Sequence, residues 1–332
     1  MAERPAQPKH GQWQRFMQTV APLTLLLGLL LLFQWQTKGL MLSASNLSNV
    51  AYRNAPLALV AIGITPVIIA AHIDLSVGSV MALGAVSAGL LFRDRGVPFE
   101  IAALLSIIIG LICGVVSGLI TTKTKMPSFV ATLAMMGFAR GLALVISKSQ
   151  TVGGDFSFMA RWMNAPLMGL RPSLWLVLGT VVIAHVLLRY TTFGRAIYAI
   201  GANDTAAHLS GIRTSRVVVT LFALEGALFG LAGLVNLMQN ASAEPTMATG
   251  IELDAIAAAV IGGASLAGGQ GSVGGTLIGV AIMATLINGC NLLNVPNEWS
   301  KVIVAILIVL GVSYDRWLRT RTQAAARQMA GQ

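Results

Sequence analysis

Residues 55–92 read APLALVAIGITPVIIAAHIDLSVGSVMALGAVSAGLLF. As a single helix this stretch would be about 57 Å long at 1.5 Å per residue, nearly twice the hydrocarbon core of a bilayer. The segment AAHIDLSVGS, residues 70–79, interrupts the apolar run with a histidine, an aspartate and two serines. The chain must reverse or break there. Backbone polar groups cannot go unpaired in hydrocarbon, so a break at membrane depth requires protein around it. The stretch therefore predicts two membrane segments inside a bundle of others.

Working outward, apolar runs recur near 20–35, 55–71, 75–92, 101–120, 127–146, 173–188, 217–238, 253–267, 274–293 and 302–312, the eighth and tenth being short. These predict an all-α integral membrane protein of about ten transmembrane helices. The composition agrees: of 332 residues 55% are hydrophobic and only 10% charged, against about 25% charged in soluble domains. So few charges cannot cover a water-facing surface, and lipid must do so. The net charge of +10 sits in short clusters between runs, where it reports topology rather than affinity for nucleic acid. With the amino terminus inside, thirteen Lys and Arg fall in inside segments and eight in outside ones, with Arg140 within a span. Both termini are then cytoplasmic, with an amino-terminal segment 1–19, a permease-like domain 20–313 and a tail 314–332. The basic segment before the first run and Ser43, Ala44 and Ser45 after it also fit a cleavable signal peptide. Cleavage would leave nine helices with the termini on opposite sides, so an uncleaved first helix is preferred.

Ten helices divide into two sets of five, and an odd number per set forces the second half to be inverted. A faint echo points the same way: Gly110–Pro127 and Gly279–Pro296 share a spacing of 17. Glycines at one-turn spacing, Gly110, Gly114 and Gly118 or Gly226, Gly230 and Gly233, predict close helix packing.

No Gly-Lys dipeptide occurs, so no phosphate-cradling loop exists and the chain does not hydrolyse ATP. Gly269, Gly271 and Gly274 match G-x-G-x-x-G but lie between two spans, where a tight reversal is the simpler reading. The four histidines show no metal-ligand spacing, no nucleophile elbow appears, and Cys113 and Cys290 sit in apolar runs as small hydrophobes. The sequence shows no enzyme and no cofactor of its own.

Polar residues that interrupt spans are the candidates for a solute pathway. Asp74, with Ser76 and Ser79, either caps the next helix or lines a path. Glu225, nine residues into its span from Arg216, must face the bundle interior, where it forms a structural hydrogen bond or meets the solute. Asn236, Asn288 and Asn291 add exchangeable hydrogen-bond partners for such a path. Residues 191–216, TTFGRAIYAIGANDTAAHLSGIRTSR, form the longest inside loop and carry their own helix signal: Ala206, Leu209 and Ile212 recur after a cap at Asn203 or Asp204. Such a helix either packs only on its own protein or docks another subunit. As a docking element, it would offer a rim of Arg195, Asn203, Asp204 and His208 around an apolar centre of Tyr198, Ala207 and Leu209, bracketed by Gly201 and Gly211.

These segments resemble the permease subunits of bacterial ABC importers of the ribose, xylose, arabinose and galactose class. The resemblance runs over nearly the whole chain and rests on IDLSVGS (73–79), KMPSFVATLA (125–134), FGRAIYAIGANDTAAHLSGI (193–212), ELDAIAAAVIGGASLAGGQGSVGGTLIG (252–279) and NGCNLLNV (288–295). It implies monosaccharide import across the bacterial inner membrane. It also implies a second permease chain, a periplasmic solute-binding protein, and a cytoplasmic ATPase subunit that holds ATP and Mg. Where the family commonly has glycines before IDLSVGS, this chain has Ala71 and His72. The rival reading is an ion- or proton-coupled secondary transporter using Asp74 or Glu225. A receptor or scaffold would need a folded extramembrane domain, and no segment is long enough for one.

Overall fold

The computed structural model describes residues 10–309 apart from 297, 301, 304, 307 and 308. Residues 1–9, part of the run near 302–312 and the tail 314–332 lie outside the described residues. The chain runs α1 (His10–Gln36), α2 (Ala44–Arg53), α3 (Ala55–Ile69), α4 (Val77–Arg95), α5 (Phe99–Thr124), α6 (Ser128–Ile146), β1 (Val152–Gly153), α7 (Ser157–Asn164), α8 (Pro172–Tyr190), α9 (Thr192–Ala202), α10 (Asp204–Leu209), α11 (Thr214–Asn240), β2 (Ser242–Ala243), α12 (Ile251–Ile261) and α13 (Val273–Leu292).

Among the described residues six helices are long and apolar enough to cross a bilayer, α4, α5, α6, α8, α11 and α13. The bent pair α2–α3, turned by 52° at Asn54, brings the number to seven at most. This is fewer than the ten spans expected from the apolar runs. Of the other three runs, that near 302–312 lies largely outside the described residues, that near 20–35 is the apolar stretch Val20–Gln36 of α1, and the run 253–267 folds as α12, an 11-residue helix of about 16 Å, half the thickness of a bilayer core. Likewise α3 has 15 residues, about 22 Å. Hydropathy reports that a segment is surrounded by apolar matter, and a helix cut short inside a bundle satisfies that as well as a full span.

Every residue of α3 is buried. It packs on α11, α12, α13 and α8, so it forms the centre of the bundle, screened from lipid by its neighbours. Side-chain caps define several helix starts: Ser43 accepts from Asn46 N–H at α2, Thr191 from Gly194 N–H at α9, Asn203 from Ala206 N–H at α10 and Ser272 from Gly275 N–H at α13. Gly96, left-handed at φ 62°, closes α4. The strands β1 and β2 pair antiparallel, Val152 with Ala243. That pair sits at one end of α11, and α9 and α10 sit at the other.

The one-turn glycines are packing devices, as the sequence predicts. A Cβ on Gly110 would strike the Gly226 carbonyl oxygen, one on Gly114 that of Phe222, and one on Gly230 that of Ser106. The α5 and α11 backbones therefore touch, and Ser106 Oγ donates to Gly230 O at 2.9 Å across the seam. Gly179 on α8, by contrast, has open space where a Cβ would stand. Gly226→Ala is thus expected to destabilise the protein by about 1–3 kcal/mol through overpacking, while Gly179→Ala is neutral or slightly stabilising. Melting temperatures of the two variants in detergent check this, and equal melting would contradict the packing.

Candidate translocation site

The helix break begins where α3 ends. Ala71 takes a left-handed backbone, φ 62°. His72 N–H donates back to Val67 O at 3.0 Å, and its ring stands edge-on to Phe222 of α11, centroids 5.9 Å apart. Residues 72–76 then continue without helical bonds. Their backbone groups pair with hydroxyls of α6: Ser128 Oγ accepts from Ile73 N–H at 3.0 Å and Thr132 Oγ1 from Leu75 N–H at 3.1 Å. Asp74 accepts from Ser76 N–H and from Ser76 Oγ, each at 2.6 Å. The aspartate thus folds the turn that leads into α4, with Ser76 at the N-cap position.

Asp74 and Glu225 are each 1% exposed. Neither Glu225 oxygen has an N–H or hydroxyl partner; the group facing it is the Asp74 carboxyl. Two carboxylates carry no hydrogen between them, so this contact becomes a hydrogen bond only when one of the pair holds a proton. Cys113 of α5 is also within electrostatic reach of Asp74, and among the described residues no Lys or Arg acts on either acid.

A second irregular stretch descends from β2. Residues 244–250 reach α12 through Gly250, φ 90°, and their carbonyls are held by Arg140, whose Nη1 donates to Pro245 O at 2.5 Å and Met247 O at 3.1 Å. Arg140 lies roughly 18 Å along α6 at 1.5 Å per residue, and Glu252 is its countercharge. The two breaks meet: a Cβ on Gly78, in the first turn of α4, would strike the Ala248 carbonyl oxygen and lie 3.2 Å from a Glu252 carboxyl oxygen. The buried start of α4 and the half-buried start of α12, each fed by irregular backbone, thus converge inside the bundle. Arg140 and Glu252 were not among the pathway candidates read from sequence, although a charge inside an apolar run was the available signal.

The structure brings Asp74, Ser76 and Glu225 together and leaves the asparagines apart from them. Asn236 lies further along α11, where its carboxamide oxygen accepts from Asn240 Nδ2 at 2.9 Å. Asn288 directs Nδ2 at Met41 Sδ, 3.3 Å away, and Asn291 is exposed near the end of α13.

Around α9 and α10 the faces differ from the amphipathic pattern expected. Ala207 is buried and Ile212 half-buried, whereas Leu209 is 81% exposed. Arg195, Asn203, Asp204 and His208 are exposed, and Gly211, φ 86°, closes α10. Tyr198 turns inward, donating from its hydroxyl to Gly271 O at 2.8 Å; burial raises its pKa and Arg189 pulls it partly back. Gly201 touches the end of α3: a Cβ there would strike Ile69 O. Gly269 N–H donates to that same Ile69 oxygen at 2.8 Å, and Gly268, Gly269 and Gly271 all take positive φ, which is the tight reversal the glycine pattern suggested.

A bundle in which two broken helices meet, without an extramembrane domain among the described residues, is the build of a solute permease. The chain belongs to the family described as branched-chain amino acid transport system / permease component, which it matches over residues 46–312. It is 39% identical over 277 residues to the ribose import permease protein RbsC of Escherichia coli (strain K12), covering 82% of this chain and 85% of that protein. To the ribose import permease protein RbsC of Bacillus subtilis (strain 168) it is 41% identical over 279 residues, 82% and 84% of the two chains. To the xylose transport system permease protein XylH of Escherichia coli (strain K12) it is 32% identical over 367 residues, 92% and 93%. No solved structure matches the chain. The protein is a multi-pass inner-membrane permease component of an ABC importer and not an enzyme, and these relatives favour the importer over an ion-coupled secondary transporter.

The carboxyl pair generates a specific expectation. Glu225→Gln keeps a donor for Asp74 and is expected to leave stability and uptake close to wild type, whereas Glu225→Leu removes a hydrogen bond to a charged group, about 1.5–3 kcal/mol. Thermal unfolding of the two variants in detergent checks this; a Gln variant as unstable as the Leu variant would show that the contact is not a hydrogen bond.

Proposed function

We propose that this chain is the membrane permease of an ATP-driven importer that moves a monosaccharide, of pentose size, across the inner membrane. The observation that carries this reading is similarity over more than four-fifths of the chain to permeases whose names specify ribose and xylose. The meeting of the two breaks supports it. Sugar hydroxyls need donors and acceptors that can be exchanged, and Asp74, Ser76, Glu225, Arg140 and Glu252 supply both near the ends of α4 and α12. In this reading, Asn236, Asn288 and Asn291 are stations toward the other end of the path. The path lies between the two inverted halves of this chain, or between it and a second permease chain, identical or not, and a periplasmic solute-binding protein delivers the sugar. ATP and Mg reside on a separate ATPase subunit, because this chain has no phosphate-binding loop.

The termini and the α9–α10 end are assigned to the cytoplasm on the charge distribution. There Leu209, exposed at 81% on a capped helix, is the apolar anchor for the ATPase, with Arg195, Asn203, Asp204 and His208 around it. Ala207 and Tyr198 fix the element to its own chain from within. Since α9 rests on Ile69, a push on α10 reaches the first residue before the break.

Proteoliposomes holding the permease, its ATPase and its binding protein are expected to take up ribose or xylose only with ATP inside; uptake driven by a pH gradient without the ATPase would sink the importer reading. Leu209→Asp is expected to cut ATPase stimulation by loaded binding protein at least tenfold while the protein remains in the membrane. If it couples normally, docking lies elsewhere, the short loop around Lys123 and Lys125 being next.

A further inference from the structure

A cavity of about 460 Å³ opens where the end of α8, the start of α9 and the first turn of α13 meet. Its walls include His185, Arg189, Tyr190, Arg195, Tyr198 and Ser272, and no acidic residue is among those that line it. Two guanidiniums and an imidazole therefore share one concavity, with no carboxylate among the described residues that line it. The Tyr198 hydroxyl is already committed to Gly271 O. The amino-terminal end of α13, capped by Ser272, adds the positive pole of a 20-residue helix.

The cavity does not stand alone. Val182, Ile183, Val186 and Tyr190 of α8 are 61%, 68%, 46% and 67% exposed. At spacings of one, four and eight residues they share one face of the helix. That apolar stripe climbs a helix long enough to span the membrane and runs into the cationic cavity at the helix end. Tyr190, at the stripe's lower limit, has the aromatic body and polar tip typical of a membrane–water interface. The combination of an apolar track leading to a concentrated positive charge at headgroup depth calls for an amphiphile with an anionic head.

We propose that this cavity is a specific site for the phosphate headgroup of an anionic phospholipid, whose acyl chain lies along the exposed face of α8. Arg189 and Arg195 grip the phosphate oxygens, Ser272 and the first turn of α13 close one side, and His185 with Tyr190 lines the other. Basic hollows between transmembrane helices at the membrane surface are suited to this role, since the surrounding lipid supplies the ligand at high local concentration. The site does not depend on which solute the permease carries, or on which side of the membrane this end faces.

The test is native mass spectrometry of the full chain in detergent, titrated separately with phosphatidylglycerol, phosphatidylcholine and inorganic phosphate. Wild-type protein is expected to retain one phosphatidylglycerol per chain, at least fivefold more tightly than phosphatidylcholine. Arg189→Gln and Arg195→Gln are each expected to weaken it about fivefold, and Arg189→Lys to keep most of it. Equal retention of the two lipids would overturn the proposal. Displacement of phosphatidylglycerol by an equal concentration of inorganic phosphate would show a free-anion site instead of a lipid site. Loss of a dimer, rather than of lipid, on Ile183→Asn would assign the α8 stripe to a second copy of the chain. Should the arginine variants fail to fold, the lipid preference of the wild-type protein and of His185→Gln decides alone.

Discussion

Two stretches of backbone leave the helical pattern inside an apolar bundle, and each N–H and C=O they release must find a partner within the protein. One helix meets much of that demand at both places. From α6, Ser128 and Thr132 take the N–H groups of Ile73 and Leu75, and Arg140 takes the carbonyls of Pro245 and Met247. Ser128 and Thr132 are one turn apart on one side of the helix, and Arg140, eight residues beyond Thr132, is turned about 80° further round it. The same helix exposes the large apolar side chains of Phe129, Leu133 and Phe138. In this way α6 acts as a brace across the two breaks, with hydroxyls where donors need an acceptor and a guanidinium where carbonyls need a donor.

The same economy appears in α11. Gly226 lets this helix lie against the backbone of α5, and its neighbour in sequence, Glu225, faces the α3–α4 break from the adjoining side of the helix. One residue creates a seam too tight to slide without cost, and the next places a buried acid against Asp74. Among the described residues no basic partner acts on the acid, so a single proton between the two carboxyls is the simplest way for the pair to remain buried. The break is thereby fastened to the most closely packed pair of helices in the bundle.

Sequence reading reached what depends on local pattern. The interruption at residues 70–79 was legible because polar residues stood in an apolar run, and α10 was legible because Asn203 is a capping residue three positions before the amide it caps. It failed where the deciding contact is remote. Arg140 meets Pro245 across 105 residues of sequence, and nothing near either residue announces the other. The run 253–267 read as a span because its composition is that of a buried segment, and only the neighbouring irregular stretch shortens it to α12. The inward turn of Ala207 was missed for a similar reason: in a helix of six residues the face is chosen by what α9 and α11 leave open, not by its own periodicity.

The path from the α9–α10 end to the candidate site is short. Gly201 and Gly269 both bear on Ile69, and three residues beyond Ile69 the ring of His72 meets Phe222 of α11. Phe222 lies one turn before Glu225, so a displacement delivered at Ile69 reaches both members of the carboxyl pair, Asp74 through the chain and Glu225 through the ring contact. Close packing without side chains at the glycines transmits such a shift with little loss, because backbone against backbone leaves no rotamer to absorb it. A left-handed residue at Ala71 stands between the rigid α3 and the extended 72–76. Since an L-residue there is held at a cost of about 1–2 kcal/mol, the turn already stores part of the energy that a change of backbone at this point would release. With the ATPase docked at α9–α10, as proposed above, the contacts of α3 join that end of the protein to the break at Asp74.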